Sequence, residues 1–447
     1  MGCIVSSVAC CFCSAAASLC CSCLPSCKNS TSSRIMFSLI LIVAALLSAL
    51  AIVPGIRSVL MRIPALCTPF AGMHSGLNCD LITGFGAVYR LCFATTMFYL
   101  LFSLLMIRVR SSQDCRAKVQ NGFWFFKFLL WFLIVICAFL IPVEGFTTTW
   151  MIIGMIGGAL YILVQLVLLI DFAHTWNTRW LDSYESTEDK CYAFGLVFFT
   201  FGFYAASIAG VGLLFYFYAN APECALNKAF ISINLIFCVC VSVVSMLPQV
   251  RERLPVSGLL QSSLITAYVV FLTWSALTNS LIPNCNPSLS IEHRNSTNST
   301  VPIDSVKIKF DWHVGLGLLI LVLSVIYSSI RSSSHTAVGQ FTVSGVEHTE
   351  LNEGTSGPLS KQDGKQTVWD DEEDGVTYNY SMFHFMLMLA TLYMMMMLTN
   401  WVRPQSDLRT LAANDASYWV RIVSSWVCLL LYLWTMIAPT LFPDREF

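Results

Sequence analysis

Charge is what this 447-residue chain has least of: Asp, Glu, Lys and Arg make up only 11% of it and almost cancel, leaving a formal net charge of −1. A chain this poor in charge has no basic patch for nucleic acid, and its balance favours neither acidic nor basic ligands. Three catalytic signatures are also missing: the Gly-x-x-x-x-Gly-Lys-Ser/Thr loop, His-Glu-x-x-His and Gly-x-Ser-x-Gly. Nucleotide hydrolysis, zinc proteolysis and serine-hydrolase chemistry therefore lack their machinery.

Apolar residues fill the space. They make up 56% of the chain, and its mean hydropathy is +0.69. Crossing hydrocarbon as a helix takes about 20 apolar residues, and backbone groups there must be satisfied within the segment. Read from charge to charge, the spans are Ile35–Ile56, Gly86–Ile107, Phe125–Val143, Thr147–Ile170 and Cys191–Tyr218. Ala229–Leu247, Leu259–Leu281, Val314–Ile330, Ser381–Thr399 and Trp419–Leu441 complete the set. The fold class is all-α: a polytopic transmembrane helical bundle of about ten spans. Residues 1–34 are a cysteine-rich N-terminal segment, 35–330 carry spans one to eight, 331–380 form a loop, and 381–447 hold the last two spans and a short tail. That loop is hydrophilic, includes Asp370-Asp371-Glu372-Glu373-Asp374, and has too little apolar surface to offset its ordering entropy. It reads as a solvated linker or a docking site for sorting or turnover machinery.

Orientation follows from the bias of Lys and Arg. With both termini in the cytosol, inner segments hold fourteen of these residues and outer segments eight. The outward loop at 282–311 then carries two acceptor sequons, at Asn295 and Asn298. Asn29-Ser-Thr and Asn379-Tyr-Ser match the same pattern on the cytosolic side, so position rather than motif carries this reading.

Cysteines form two populations. Eight crowd the first 27 residues, among them Cys3, Cys10, Cys11 and Cys13, and Met1-Gly2-Cys3-Ile4-Val5-Ser6 fits the myristoylation pattern at Gly2. A reducing cytosol beside a membrane favours acylation of this cluster over zinc, since no histidine lies near it. Four more, Cys67, Cys79, Cys224 and Cys285, lie in outer loops where disulfides persist. A Cys67–Cys79 bridge would close the shortest loop, but spacing alone leaves the pairing open.

Ionisable groups avoid the membrane centre. Arg90 and Arg421 lie near outer ends of their spans, and Lys127, Asp171, His174 and His384 near inner ends. Snorkelling to the headgroups accounts for Arg90, Lys127 and Arg421. Ion-coupled transport has no mid-membrane carboxylate to use. Uncharged polar groups do lie deep. On the seventh span, at about 100° per residue, Ser262, Thr266 and Thr273 share one stripe, while Gln261, Tyr268, Ser275 and Asn279 form another about 140° away. Either both stripes bind neighbouring helices, or one lines a polar path for lipid headgroups. Gln165 in the fourth span carries the same ambiguity. The small-residue runs Gly154-x-x-x-Gly158 and Gly202-x-x-x-Ala206-x-x-x-Gly210 read as close helix packing, and Met394–Met397 as adaptable core. No metal site or cofactor is expected.

From Ala159 to Lys190 there is neither Pro nor Gly, so nothing breaks the helix where the fourth apolar run ends. A helix from Thr147 to Tyr184 would be about 57 Å long, nearly twice the hydrocarbon thickness. Lys127 and Asp171 would then share the inner surface, as a pair or as separate snorkelling charges.

Several runs resemble the serine incorporator family. They include Asn121-Gly-Phe-Trp-Phe-Phe-Lys-Phe, Gln165-Leu-Val-Leu-Leu-Ile-Asp-Phe-Ala-His-Thr-Trp, Ser257-Gly-Leu-Leu-Gln-Ser-Ser-Leu-Ile-Thr and Ser424-Ser-Trp-Val-Cys-Leu-Leu-Leu-Tyr. The resemblance covers the whole chain in order. It implies ten helices in two subdomains divided by a long oblique fourth helix, in plasma or internal membranes. It also implies lipid handling linked to serine incorporation into phosphatidylserine and sphingolipids, with ATP-independent phospholipid scrambling as mechanism. The implied partners are membrane phospholipids, further copies of the chain and lipid-synthesis enzymes, with no nucleic acid. A scaffold for serine-dependent synthesis and a serine transporter are the alternatives. Direct synthesis by CDP-alcohol transfer would need Asp-Gly-x-x-Ala-Arg, whereas Asp-Gly occurs here only at Asp363–Gly364 and Asp374–Gly375, both in the hydrophilic loop.

Overall fold

The computed structural model describes residues 30–53, 84–109, 114–141, 145–187, 189–253, 258–287, 312–330, 378–401 and 415–441. The N-terminal cysteines with Gly2, the Cys67/Cys79 loop, Asn295, Asn298 and the acidic run lie outside those residues. Twelve α-helices are described: α1 (Ser30–Ile52), α2 (Gly84–Leu105), α3 (Cys115–Asn121), α4 (Trp124–Phe139), α5 (Phe146–Thr187), α6 (Lys190–Tyr218), α7 (Ala225–Val244), α8 (Pro248–Arg253), α9 (Leu259–Leu277), α10 (Trp312–Ile330), α11 (Tyr380–Leu398) and α12 (Asp415–Leu441). No strand occurs among the described residues. Eight of these helices are long and apolar enough to cross a bilayer, the bent α3–α4 pair adds a ninth, and α10 is a shorter apolar helix. On α6, Phe194 and Ile208 are 70% exposed and Phe201 71%. Such a surface would be untenable in water but is matched to lipid tails.

The third span starts where the sequence reading put it, α4 beginning at Trp124, and ends a turn earlier, at Phe139. Just before it the chain turns by 77° between α3 and α4. Gly122 is extended, and Phe123 takes the left-handed region at φ 58°. Asp114 caps α3, and Arg116 holds its carboxyl below the usual carboxylate range through hydrogen bonds. The same guanidinium donates to Leu105 O and Ile107 O, closing the end of α2.

The long helix forms as expected: α5 has 42 residues, about 63 Å at 1.5 Å per residue. It and α10 contact both halves of the molecule. One half packs α1, α2, α4 and α11 around Phe37, Tyr99 and Leu387. The other packs α6, α7, α9 and α12 around Val269, Cys428 and Ile422. Close approach of α5 to α11 depends on glycine: a Cβ on Gly157 would lie 2.2 Å from Leu392 Cδ1, and one on Gly158 3.2 Å from Trp401 Cη2. Met394–Met397 are buried in this seam. The second small-residue run behaves differently. Gly210 meets Val270, but Gly202 has no neighbour within 4 Å and Ala206 is exposed. That run was expected to be a packing face throughout; it lies largely on the outer surface because α6 is peripheral.

Candidate functional site

The two polar stripes of α9 face different neighbours. Gln261 Oε1 accepts from Gly258 N at 2.7 Å, which caps the helix, and Gln261 Nε2 lies 3.5 Å from His174 Nδ1 of α5. Ser275 receives the Arg421 guanidinium from α12 through its carbonyl and its hydroxyl. Asn279 donates to Ser275 O, and its own oxygen accepts from Asn400 Nδ2 at 2.8 Å. Tyr268 is buried in the core beneath them. This stripe joins helices.

The stripe of Ser262, Thr266 and Thr273 faces α6 and α7. Ser262 Oγ lies 2.9 Å from Tyr204 Oη, which itself donates to Ser242 Oγ at 2.9 Å. Thr273 Oγ1 accepts from Asn234 Nδ2 at 2.8 Å. Thr266 and Thr273 line a cavity of about 280 Å³ between α6, α7 and α9. Its rim includes Ile208, Val239 and Met246, all exposed, so it opens on the outer surface of the bundle. No Asp, Glu, Lys, Arg or His lines it. In this state most of its hydroxyls are turned onto their own helices: Thr266 to Ser262 O, Thr273 to Val269 O, Ser207 to Phe203 O and Ser242 to Cys238 O. The groove therefore presents mainly methyl and methylene groups, with hydroxyls held in reserve.

Behind the groove, α7 carries a ladder of uncharged polar side chains. Asn227 donates to Tyr218 O and accepts from Tyr418 Oη at 3.1 Å. Asn234 bridges Thr273, Ser425 and Trp426 Nε1, the last at 3.0 Å. Ser242 and Ser245 complete the ladder at the other end of α7. From Asn227 to Ser245 the rise is about 27 Å, close to the hydrocarbon thickness. The sequence reading missed Asn227, Asn234 and Tyr204. Two asparagines seven residues apart in an apolar span were the available signal. The Asn227 end is also closed covalently, because Cys224 and Cys285 form a disulfide and Asn227 Nδ2 contacts Cys285 O.

The buried cations do not snorkel. Arg90, Lys127 and Arg421 are 0%, 3% and 4% exposed. Arg90 donates to Gly86 O and to Ile141 O, just beyond the end of α4. Lys127 donates to Gln120 O at 2.6 Å, with its ammonium 3.7 Å from the Trp124 ring centroid and 4.5 Å from that of Phe37. Backbone carbonyls and ring faces replace the headgroups as their environment. Such a site favours a buried cation only where the helix ends and aromatics are already fixed by packing. Asp171 belongs to a different polar group, accepting from Tyr327 Oη of α10 at 2.8 Å. Gln165 is 2% exposed, and its Oε1 has no hydrogen-bond partner among the described residues. No cluster of three His, Cys, Asp or Glu side chains occurs among the described residues.

This architecture defines a multi-pass α-helical integral membrane protein with an uncharged groove open on the outer surface of the bundle. Residues 9–445 match the family model described as serine incorporator (Serinc). A probable serine incorporator of Nematostella vectensis is 44% identical, the match covering 96% of this chain and 94% of that protein. Serine incorporator 2 of Mus musculus is 44% identical over 100% and 98% of the two chains. Serine incorporator 3 of Bos taurus is 42% identical over 98% and 97%. The chain belongs to the serine incorporator family.

Proposed function

We propose that this protein handles membrane lipid without catalysis, by letting phospholipid headgroups pass between leaflets without ATP along the groove between α6, α7 and α9. The observation that carries the reading is the pairing of a lipid-facing groove with an uncharged polar ladder as deep as the hydrocarbon. A polar group crossing bare hydrocarbon loses several kcal/mol for each hydrogen bond it leaves unmade. Hydroxyls that exchange a carbonyl of their own helix for a passing headgroup recover part of that, roughly 0.5–1.5 kcal/mol each. The tails need no path, since they stay in lipid. Charged walls would trap a phosphate, whereas neutral ones release it.

Purified full-length chain in vesicles with a fluorescent phospholipid should expose inner-leaflet probe to a membrane-impermeant quencher faster than empty vesicles, with no nucleotide present. Asn234→Leu, which unties Thr273, Ser425 and Trp426 together, should slow the exchange severalfold. Exchange no faster than in empty vesicles would instead favour a scaffold for serine-dependent lipid synthesis.

The reading includes an orientation, with both termini in the cytosol and the Cys224–Cys285 end outside. The disulfide supports it, because such bonds persist in oxidising compartments. Asn379, a sequon on the opposite side, uses its side-chain oxygen to cap α11 through Met382 N. Replacing Asn295 and Asn298 by Gln should abolish the N-glycan, seen as a single gel shift equal to glycosidase treatment. A glycan surviving the double change would reverse the orientation.

A further inference from the structure

We infer that the groove between α6, α7 and α9 is a binding site for a sterol: an uncharged, rigid lipid with a single hydroxyl. Three features of the groove converge on this ligand. First, the wall is stiff. Val211, Val239, Val243, Val269 and Val270 line it, and β-branched side chains have little χ1 freedom. A wall that does not adapt suits fused rings, whereas a mobile acyl chain gains little from rigidity. Second, the polar cluster at one end of the groove is neutral: Tyr204 Oη lies 2.9 Å from both Ser242 Oγ and Ser262 Oγ, and Ser245 Oγ is 3.5 Å from Ser262 Oγ. No cation lines the groove to hold a phosphate. Tyr204 and Ser242 both line the cavity, so a hydroxyl entering it meets two neutral groups that can each donate or accept. Third, the depth fits. Ser262 lies in the first turn of α9 and Thr273 eleven residues on, about 16 Å along the helix, or one leaflet from headgroup level to midplane.

The bound molecule would place its hydroxyl beside Tyr204 and Ser242 and its rings against the valine wall, entering between Ile208 and Val239. The inference deepens the lipid-handling reading by naming what occupies the groove, but it is tested by binding and not by transport.

The test uses full-length chain in phosphatidylcholine vesicles with a diazirine-bearing cholesterol analogue. After illumination and digestion, label should fall on peptides of α7 and α9, and unlabelled cholesterol should displace most of it. The 3α-hydroxy epimer, which misplaces the hydroxyl while keeping the rings, should compete at least severalfold less well. Ser242→Ala should reduce labelling severalfold, and the epimer control needs no altered protein should that variant misfold. Label confined to other helices, equal competition by the two epimers, or a photoreactive diacyl phospholipid that labels the same peptides and resists cholesterol would each overturn the assignment. Scrambling can fail while labelling holds, and labelling can fail while scrambling holds, so the two readings fall separately.

Discussion

Gly157→Leu is expected to lower the melting temperature of the detergent-solubilised protein by several degrees, while Gly202→Leu leaves it unchanged or slightly raised. Both glycines lie in small-residue runs of apolar spans, and sequence spacing treats them alike. At Gly157 a Cβ would stand 2.2 Å from Leu392 Cδ1 and 3.1 Å from Leu392 Cβ, so Leu392 must leave its rotamer and the rest of a leucine side chain has to push α5 away from α11. Overpacking of that kind costs roughly 1–3 kcal/mol even after relaxation. Because α5 contacts both halves, the loss should appear as one cooperative shift in a fluorescence-detected size-exclusion melt. At Gly202 nothing lies within 4 Å, and a leucine there meets only lipid. Equal shifts for the two variants would mean that the α5–α11 seam is not as tight as described.

Removing the Cys224–Cys285 bridge should have the other large effect. The two cysteines are 61 residues apart in sequence, and closing a loop of that length is worth about 4 kcal/mol at 25 °C in the chain-entropy account. Helices that persist in the membrane shorten the effective loop, which makes this an upper figure. Cys224→Ser combined with Cys285→Ser should therefore melt several degrees lower, and either single change should destabilise about as much as both. In the unaltered protein, a maleimide reagent should reach these two thiols only after reduction. Labelling without reductant would show that this end of the bundle faces a reducing compartment and would reverse the proposed orientation. Tethering matters to the groove as well, because Asn227 at the foot of the polar ladder contacts Cys285 O.

Some of this molecule was legible because lipid imposes its rules locally. A span must be helical and apolar over its own length, so a charge such as Arg34 locates it to within a turn without knowledge of any neighbour, although α1 begins at Ser30 and buries Arg34. The absence of Pro and Gly after Ala159 made the 42-residue α5 readable in the same way. The start of the third span was legible too, but the short helix α3 before it and the turn at Gly122–Phe123 were not, since Arg116, Lys118, Gln120 and Asn121 read as a polar loop. That turn depends on a left-handed φ at Phe123 that no hydropathy pattern encodes.

Helical period alone divided the polar residues of α9 into two stripes, but it could not say which stripe meets a helix and which meets a groove. That was decided by α12 bringing Arg421 to Ser275, and by α6 and α7 standing far enough apart to leave a cavity beside Thr266. The same holds for charge. Sequence position put Arg90 and Lys127 near span ends, where snorkelling is the default, yet both are enclosed by carbonyls and rings from other segments. What the chain determines by itself is therefore what each segment needs from its solvent: helicity, span limits and family. Which polar groups are spent on packing, and which remain beside an opening, depends on distances between helices far apart in sequence, and only the assembled bundle sets those.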